Sequence, residues 1–364
     1  MEVTGTARLS LLTGADIDAL SLGAEVLGSG GGGKVDNHAR VARALGPAFR
    51  VQVADAASPG IRSLAAVGYI GSTMIIQEKV PSGAEMPAAV AALERWSGSP
   101  VQAVMPMQVG GMISLAAALL ASELGRPLLD ADLVGRATPR LDQLSLHTSA
   151  QAPSAALAAV TPGGLSVVID APGPADMEAA MRGVIARSGG WAAFALGPLD
   201  RSEVRDVVVT GSISRAVEIG RVLGETGRSA AAAAERLGGQ VAARGRLLEV
   251  TRRDDQLTFV HGSAALQDPD TGQVARLEMG SEYLYLTVDG EPAASVPSII
   301  CALDARTGQP VETVDLRPGL DLNVLVLPPA GFWTADENRA RLVDPRSYGI
   351  DADIIRPRQP CRPR

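Results

Sequence analysis

Asp130 and Asp132 stand two residues apart directly after the apolar run Pro127-Leu128-Leu129, and Arg136 follows four residues later. Open α/β sheets bind their ligands beyond the carboxyl ends of their strands. A carboxylate pair in such a place can act as a general base, orient a water or bind a metal. Arg136 offers a planar fork that matches a carboxylate in two hydrogen bonds. These three residues are the candidate catalytic set. The alternative is structural: a turn in which an aspartate caps the next helix and Arg136 pairs with it.

The second candidate is Gly28-Ser29-Gly30-Gly31-Gly32-Gly33-Lys34. Lacking Cβ atoms, such a loop can take positive φ and bring backbone N–H groups close to a ligand. Gly30, Gly31, Gly32 and Gly33 are therefore candidate substrate-binding positions, with a structural or mobile turn as the alternative. The run satisfies G-x-G-x-x-G at Gly28, Gly30 and Gly33, and G-x-x-x-x-G-K at Gly28, Gly33 and Lys34. Context argues against both nucleotide readings. A dinucleotide fingerprint follows a strand, whereas this run follows a helical pattern. A phosphate loop needs Ser or Thr after its Lys, and here that residue is Val35. Gly110 and Gly111 follow a short strand and open a helix, so their amides are candidates for an anion site. A tight strand-to-helix turn is the other reading there. Glu78, at the charged end of Met74–Lys79, is a further candidate binding residue.

Other chemistries find little support. His38, His147 and His261 lack metal-ligand spacing. Cys301 and Cys361 supply neither a disulfide framework nor a thiolate metal site, and Cys301 reads as a small buried hydrophobe. No G-x-S-x-G elbow or Cys–His pairing marks a covalent nucleophile. Chemistry would fall to carboxylates, Arg or Lys, and backbone amides. A net charge of -7 with 3% aromatics is unlike a nucleic-acid binder. Residues Met1–Gly5 do not read as a secretory signal, and no run of about 18 apolar residues suggests a membrane span. A cytoplasmic protein is expected. The cofactor stays open, a divalent metal included, and no nucleotide is expected.

The elements that must hold these residues alternate. Ile17, Leu20, Ala24 and Leu27 fall at helical spacing after Thr13, a candidate N-cap. Helices are expected at 36–45, 85–96 and 112–124, and strands at 49–53, 65–70, 101–105 and 127–129. That rhythm predicts a layered α/β domain with a mainly parallel sheet. It recurs through 165–170, 174–187 and 191–196, with helices following at 214–224 and 229–237. From about Gln240 short strands and turns such as Asp289-Gly290 take over, which predicts a β-rich α+β domain. The expected division is an N-terminal domain over 1–163, a C-terminal domain over 164–355 and a disordered basic tail over 356–364.

Several stretches together resemble one family. Leu27–Gly33 resembles the L-G-[ST]-G-G-G-G signature of the DUF917 family, the S-methyl-thiohydantoin desulfurase-like proteins associated with hydantoin utilisation. Gly125–Asp132 with Gly135, Arg136, Ala137 and Pro139 resembles its P-[VL]-[VL]-D-[AG]-D-x-x-G-R-A-x-P stretch. Val209–Ala216 with Ile219-Gly220-Arg221 resembles its G-[ST]-I-S-x-A-x-x-[IL]-G-R segment. Glu282, Val296–Ile300 and Tyr348–Asp351 then follow in the expected order. The resemblance implies a two-domain α/β protein acting on a five-membered cyclic amide, by loss of sulfur or by ring opening. It implies Asp130 or Asp132 as water activator, glycine-loop amides as oxyanion donors, Arg136 as a carboxylate clamp and Glu282 as a substrate contact. It also implies, as the alternative, an accessory role beside an ATP-dependent hydantoinase or oxoprolinase-like subunit. A homo-oligomer is expected.

The chain departs from the family at acidic or amide positions, which here are Lys34, Arg140, Ser281 and Ser298. A changed substrate or a non-catalytic role would fit such losses.

Overall fold

A computed structural model describes residues 8–355 apart from 57, 59, 150–154 and 255–259. The expected basic tail with Cys361 and the residues Met1–Gly5 lie outside the described residues.

The chain opens with β1 (Leu11–Thr13). Thr13 donates its amide and its hydroxyl to Asp16 Oδ2, each at 3.0 Å, closing the turn into α1 (Ile17–Gly28). Ile17, Leu20, Ala24 and Leu27 of α1 are all buried, as their spacing predicts. There follow α2 (Asp36–Leu45), β2 (Arg50–Ala54), β3 (Ser63–Gly71), α3 (Thr73–Glu78) and α4 (Glu85–Ser97). Next come β4 (Ala103–Pro106), α5 (Ile113–Leu124), β5 (Leu128–Leu129) and β6 (Ala131–Asp132). The half ends with β7 (Ala156–Val160), β8 (Ser166–Ile169), α6 (Pro174–Arg187) and β9 (Trp191–Asp200).

These strands form one sheet in the order β1-β2-β5-β4-β3-β9-β7-β8. The run β2-β5-β4-β3 is parallel, and α4 and α5 supply the crossovers that parallel neighbours require. Antiparallel pairs extend it on both sides. Every residue of β4 and β7 is buried, so these strands are continuously apolar without alternation. The sheet continues past residue 163 into β8 and β9, so the expected boundary there falls within it.

A connecting layer follows: α7 (Arg201–Val204), β10 (Val209–Thr210), α8 (Ser212–Thr226) and α9 (Ala230–Arg236). Helix α8 lies against α1 with Gly23 facing the Ala216 backbone and Gly220 facing the Ala19 backbone, where any Cβ would collide. Strand β10 pairs antiparallel with β6.

The second sheet comprises β11 (Gln240–Asp254), β12 (Val260–Gln267), β13 (Val274–Met279), β14 (Tyr283–Val288), β15 (Glu291–Ser295), β16 (Ile299–Asp304) and β17 (Asp321–Leu327). Its order is β15-β14-β13-β12-β11-β17-β16, antiparallel throughout. Asp289 and Gly290 both have positive φ, the conformation a two-residue hairpin turn between β14 and β15 requires. The molecule is thus a two-domain α/β protein. Among the described residues no helix is long and apolar enough to cross a membrane.

Candidate active site

The paired aspartates end at a helix and not at a cavity. Pairing of β6 with β10 sets Asp132 opposite Val209 and brings the start of α8 beside it. Asp132 accepts from Ser212 Oγ at 2.6 Å, from the Gly135 amide at 2.7 Å and from the Val109 amide at 2.8 Å. Asp130 accepts from Ser214 Oγ at 2.6 Å and from the Ser214 amide at 3.0 Å. Two aspartates two residues apart thus meet two serines two residues apart at the start of α8, where Asp130 also takes a backbone amide of the helix. Burial pushes Asp132 up to about 6, while the Ser212 hydroxyl and the Gly135 and Val109 amides pull it down. The expected pairing of Asp130 and Asp132 with a water or metal gives way to this arrangement, because protein donors already surround both carboxylates.

Arg136 is also buried. Its guanidinium donates to the carbonyls of Ser298 at 2.8 Å, Tyr283 at 3.1 Å and Ala137 at 3.2 Å. The expected clamp on a substrate carboxylate is thus a clamp on the backbone of the second sheet. Burial lowers its pKa, opposed by Tyr348 and Glu282.

The glycine loop is stitched to the same sheet through its carbonyls. The Tyr283 amide donates to Ser29 O at 2.7 Å and the Thr313 amide to Gly30 O at 2.8 Å. Gly30, at φ 82, lies against the Tyr283 ring, where a Cβ would stand 2.4–2.7 Å from ring carbons. The Met112 amide reaches Gly32 O at 3.2 Å and Gly33 O at 3.0 Å. Gly110 and Gly111 pack their backbones on Gly28 and Gly32, and the Gly111 amide donates to Ala24 O at 2.8 Å. That amide is therefore committed inside the protein and not offered to an anion.

One face of this loop opens on a cavity of about 150 Å³. Gly30, Gly31, Gly32 and Gly33 line it, together with Ser281, Glu282, Glu312 and Thr313 from the second domain. From the first domain come Tyr69, Gln108, Trp191 and the segment Thr138–Leu141. Asp130, Asp132, Arg136, Gly110 and Gly111 are not among the lining residues, and Glu78 is exposed on α3 away from it. The Asp-x-Asp stretch contributes to the cavity through the residues just after it. Gln108 Oε1 takes the Thr138 amide at 2.8 Å, and Glu178 of α6 takes the Leu141 amide at 2.8 Å.

Glu282 is the one expected carboxylate that the cavity receives. It is 2% exposed, and its Oε2 is buried with no protein partner. Burial pushes its carboxyl up to about 7, with Arg136 pulling it down. Glu312 is also raised, to about 8, by burial and then by Asp315, with Lys34 opposing. Glu25 on α1 reaches about 7 through burial and Asp36. Lys34 pairs with Asp315 at 2.9 Å beside these acids. The positive charge at that position thus offsets a crowded acidic patch at the cavity edge. Of the other departures, Ser281 and Arg140 line the cavity, Arg140 pairs with Asp142 at 2.9 Å, and Ser298 offers its carbonyl to Arg136. Among the described residues no group of three or more His, Cys, Asp or Glu is arranged to hold a metal ion.

Tyr69, His38 and Trp191 had no signal in the sequence. Tyr69 sits in an apolar strand and His38 on a short helix, and only the fold joins them at 3.1 Å. Glu312 lies in a loop without a motif.

The chain matches the family models described as S-Me-THD-like, N-terminal domain, over residues 15–171 and S-Me-THD-like, C-terminal domain, over residues 173–356. Among solved structures it is similar to a protein from Chromobacterium violaceum, at 22% identity and a TM-score of 0.74, covering 91% of this chain and 94% of that one. That likeness speaks for the fold. No curated protein matches the chain. The two domain models meet at the join between the first sheet's β8 and helix α6 and take in every residue that lines the cavity, and on that ground the chain belongs to the S-Me-THD-like family.

Proposed function

We propose that the protein hydrolyses a hydantoin- or thiohydantoin-like cyclic amide in the cavity between its two domains. The carrying observation is Glu282: a buried carboxylate whose Oε2 has no protein partner, raised to about 7, against the glycine loop. A carboxylate with a pKa near neutrality is suited to take a proton from water at physiological pH. The hydroxide so formed adds to the ring carbon that bears oxygen or sulfur. For ring opening, the electron pair moves onto the carbonyl oxygen and its return expels the ring nitrogen. For sulfur loss, the pair moves onto sulfur or the adjacent ring nitrogen, the added hydroxyl gives up its proton and forms the new C=O, and the sulfur leaves with the C–S electron pair. The proton held by Glu282 then neutralises the leaving group. Volume supports the reading, since a cavity of roughly 150 Å³ is known to hold a benzene-sized ring. The glycine run would bring its backbone against the ring, consistent with Gly30–Gly33 in the lining.

Purified chain incubated with a panel of hydantoins, thiohydantoins and S-methyl-thiohydantoins should release ring-opened acid or thiol. Glu282→Gln should lower kcat by about 10²–10⁴-fold. Turnover by the isolated chain would also separate this reading from an accessory role beside a hydantoinase-like subunit. Absence of product across the panel, with and without divalent metals, would sink it.

A further inference from the structure

The same cavity holds a polar pair on the first domain that the reaction above does not use. Tyr69 of β3 lines it, and its hydroxyl lies 3.1 Å from Nε2 of His38 on α2. Trp191 of β9 packs edge-on against the Tyr69 ring at 5.7 Å between centroids, which fixes the ring plane. His38 is 8% exposed, and its Nδ1 is buried with no protein partner.

A neutral imidazole carries one N–H and one lone pair. Burial lowers His38 to about 4, so the ring is neutral at physiological pH. If the proton sat on Nδ1, a buried N–H would stand unpaired. If it sits on Nε2, the unpaired atom is only a lone pair. Orphaned buried N–H groups are the rarer and costlier case. Nε2–H therefore donates to the Tyr69 oxygen. The phenol's own proton is then turned away from His38, and among the described residues no protein acceptor takes it. Burial, then Glu85, raises the Tyr69 pKa and keeps that proton on the phenol.

We propose that Tyr69 is the hydrogen-bond donor to the carbonyl or thiocarbonyl of the ring bound in this cavity, and that His38 is the positioning residue that turns its O–H toward that guest. The proposal rests on the cyclic-amide reading and assigns the donor on the first-domain wall, with Glu282 supplied by the second. A donor preset on the oxygen or sulfur that gains charge stabilises the transition state more than the ground state.

The test is nitrogen-15 NMR of histidine-labelled full-length protein, free and with hydantoin, combined with kinetics of Tyr69→Phe, His38→Gln and His38→Phe. His38 should hold the Nε2–H tautomer from about pH 5 to 8, with no titration near its usual value. Hydantoin should shift the His38 Nε2 signal in the wild type and not in Tyr69→Phe. Tyr69→Phe should lose about 10²-fold in kcat with little change in KM. His38→Gln, which keeps a side-chain N–H donor, should recover part of the rate lost in His38→Phe. An Nδ1–H tautomer, a cationic ring at neutral pH or a Tyr69→Phe rate within twofold of wild type would overturn the proposal. The tautomer is read on the free protein, so it decides the His38–Tyr69 geometry by itself. Failure of the wild type to turn over any hydantoin would sink the cyclic-amide reading and the ring-donor role of Tyr69 with it, whereas a wrong tautomer with turnover intact would overturn the His38–Tyr69 assignment and leave that reading standing.

Discussion

Glu282 sits where three influences meet: burial, the Arg136 guanidinium behind it and the cavity in front. Its usefulness as a base depends on the balance between the first two. A base must be deprotonated to act, so kcat/KM should fall as pH drops through about 7, the value to which burial raises Glu282. Arg136→Met should move that limb upward, because it removes the charge that favours the carboxylate. The same substitution strips three buried carbonyls, those of Ser298, Tyr283 and Ala137, of this donor. It should therefore also cost about 2–4 kcal/mol in denaturant unfolding. A pH limb unmoved in Arg136→Met would show that the two groups are not coupled. Lys34 belongs to this scale too. With Glu25, Asp36, Glu312 and Asp315 around it, a positive side chain relieves repulsion that another acid would add.

At the scale of elements, β6, β10 and the start of α8 form one joint. Asp132 in β6 meets Ser212, and Asp130 in the bend just before β6 meets Ser214, both serines lying in the first turn of the helix. Such a joint predicts stability effects without a matching loss of chemistry. Asp132→Asn should lower stability by about 1–3 kcal/mol, since a neutral amide oxygen replaces the charged acceptor of the Val109 and Gly135 amides and the Ser212 hydroxyl must turn to Val209 O. Assayed well below its melting temperature, the variant should keep its rate within about tenfold. Loss of about 10² or more with the fold intact would return Asp132 to the chemistry.

Over the whole molecule, acids raised by desolvation and one buried histidine dominate the dependence of stability on pH near neutrality. Glu25, Glu282 and Glu312 have folded values near 7 or 8, above their unfolded values. The native state holds more protons than the unfolded one up to those values, so this contribution is lost as pH rises through 7 and 8. His38 works the other way: its folded value near 4 makes stability grow as pH rises toward its unfolded value. The two partly cancel in acid. From about pH 6.5 to 8 the acids dominate, opposed slightly by His38 of the unfolded chain, and unfolding free energy should fall by on the order of 2–3 kcal/mol. A flat or rising profile in denaturant titrations over that window would contradict the placement of these groups.

The alternation of strands and helices was legible because each element carries its own period, as in α1, α4 and α6. Strand β7 escaped, since Ala156-Leu157-Ala158-Ala159-Val160 has no alternation and little β preference; only its place between β9 and β8 makes it a strand. The sequence singled out Gly30–Gly33, and the family resemblance Glu282, and all five line the cavity. Tyr69, His38 and Glu312 were not legible, for no local pattern distinguishes a cavity-facing side chain from a core one. By itself the sequence determined the elements, the two-domain class and the stretches that matter, because propensity, periodicity and glycine content act over a few residues. Tertiary structure alone decided which carboxylate faces the cavity. Asp130 and Asp132 are spent on α8 because β6 meets β10 some eighty residues away. Glu282 Oε2 is left without a protein partner where the glycine loop closes over it from the other end of the chain.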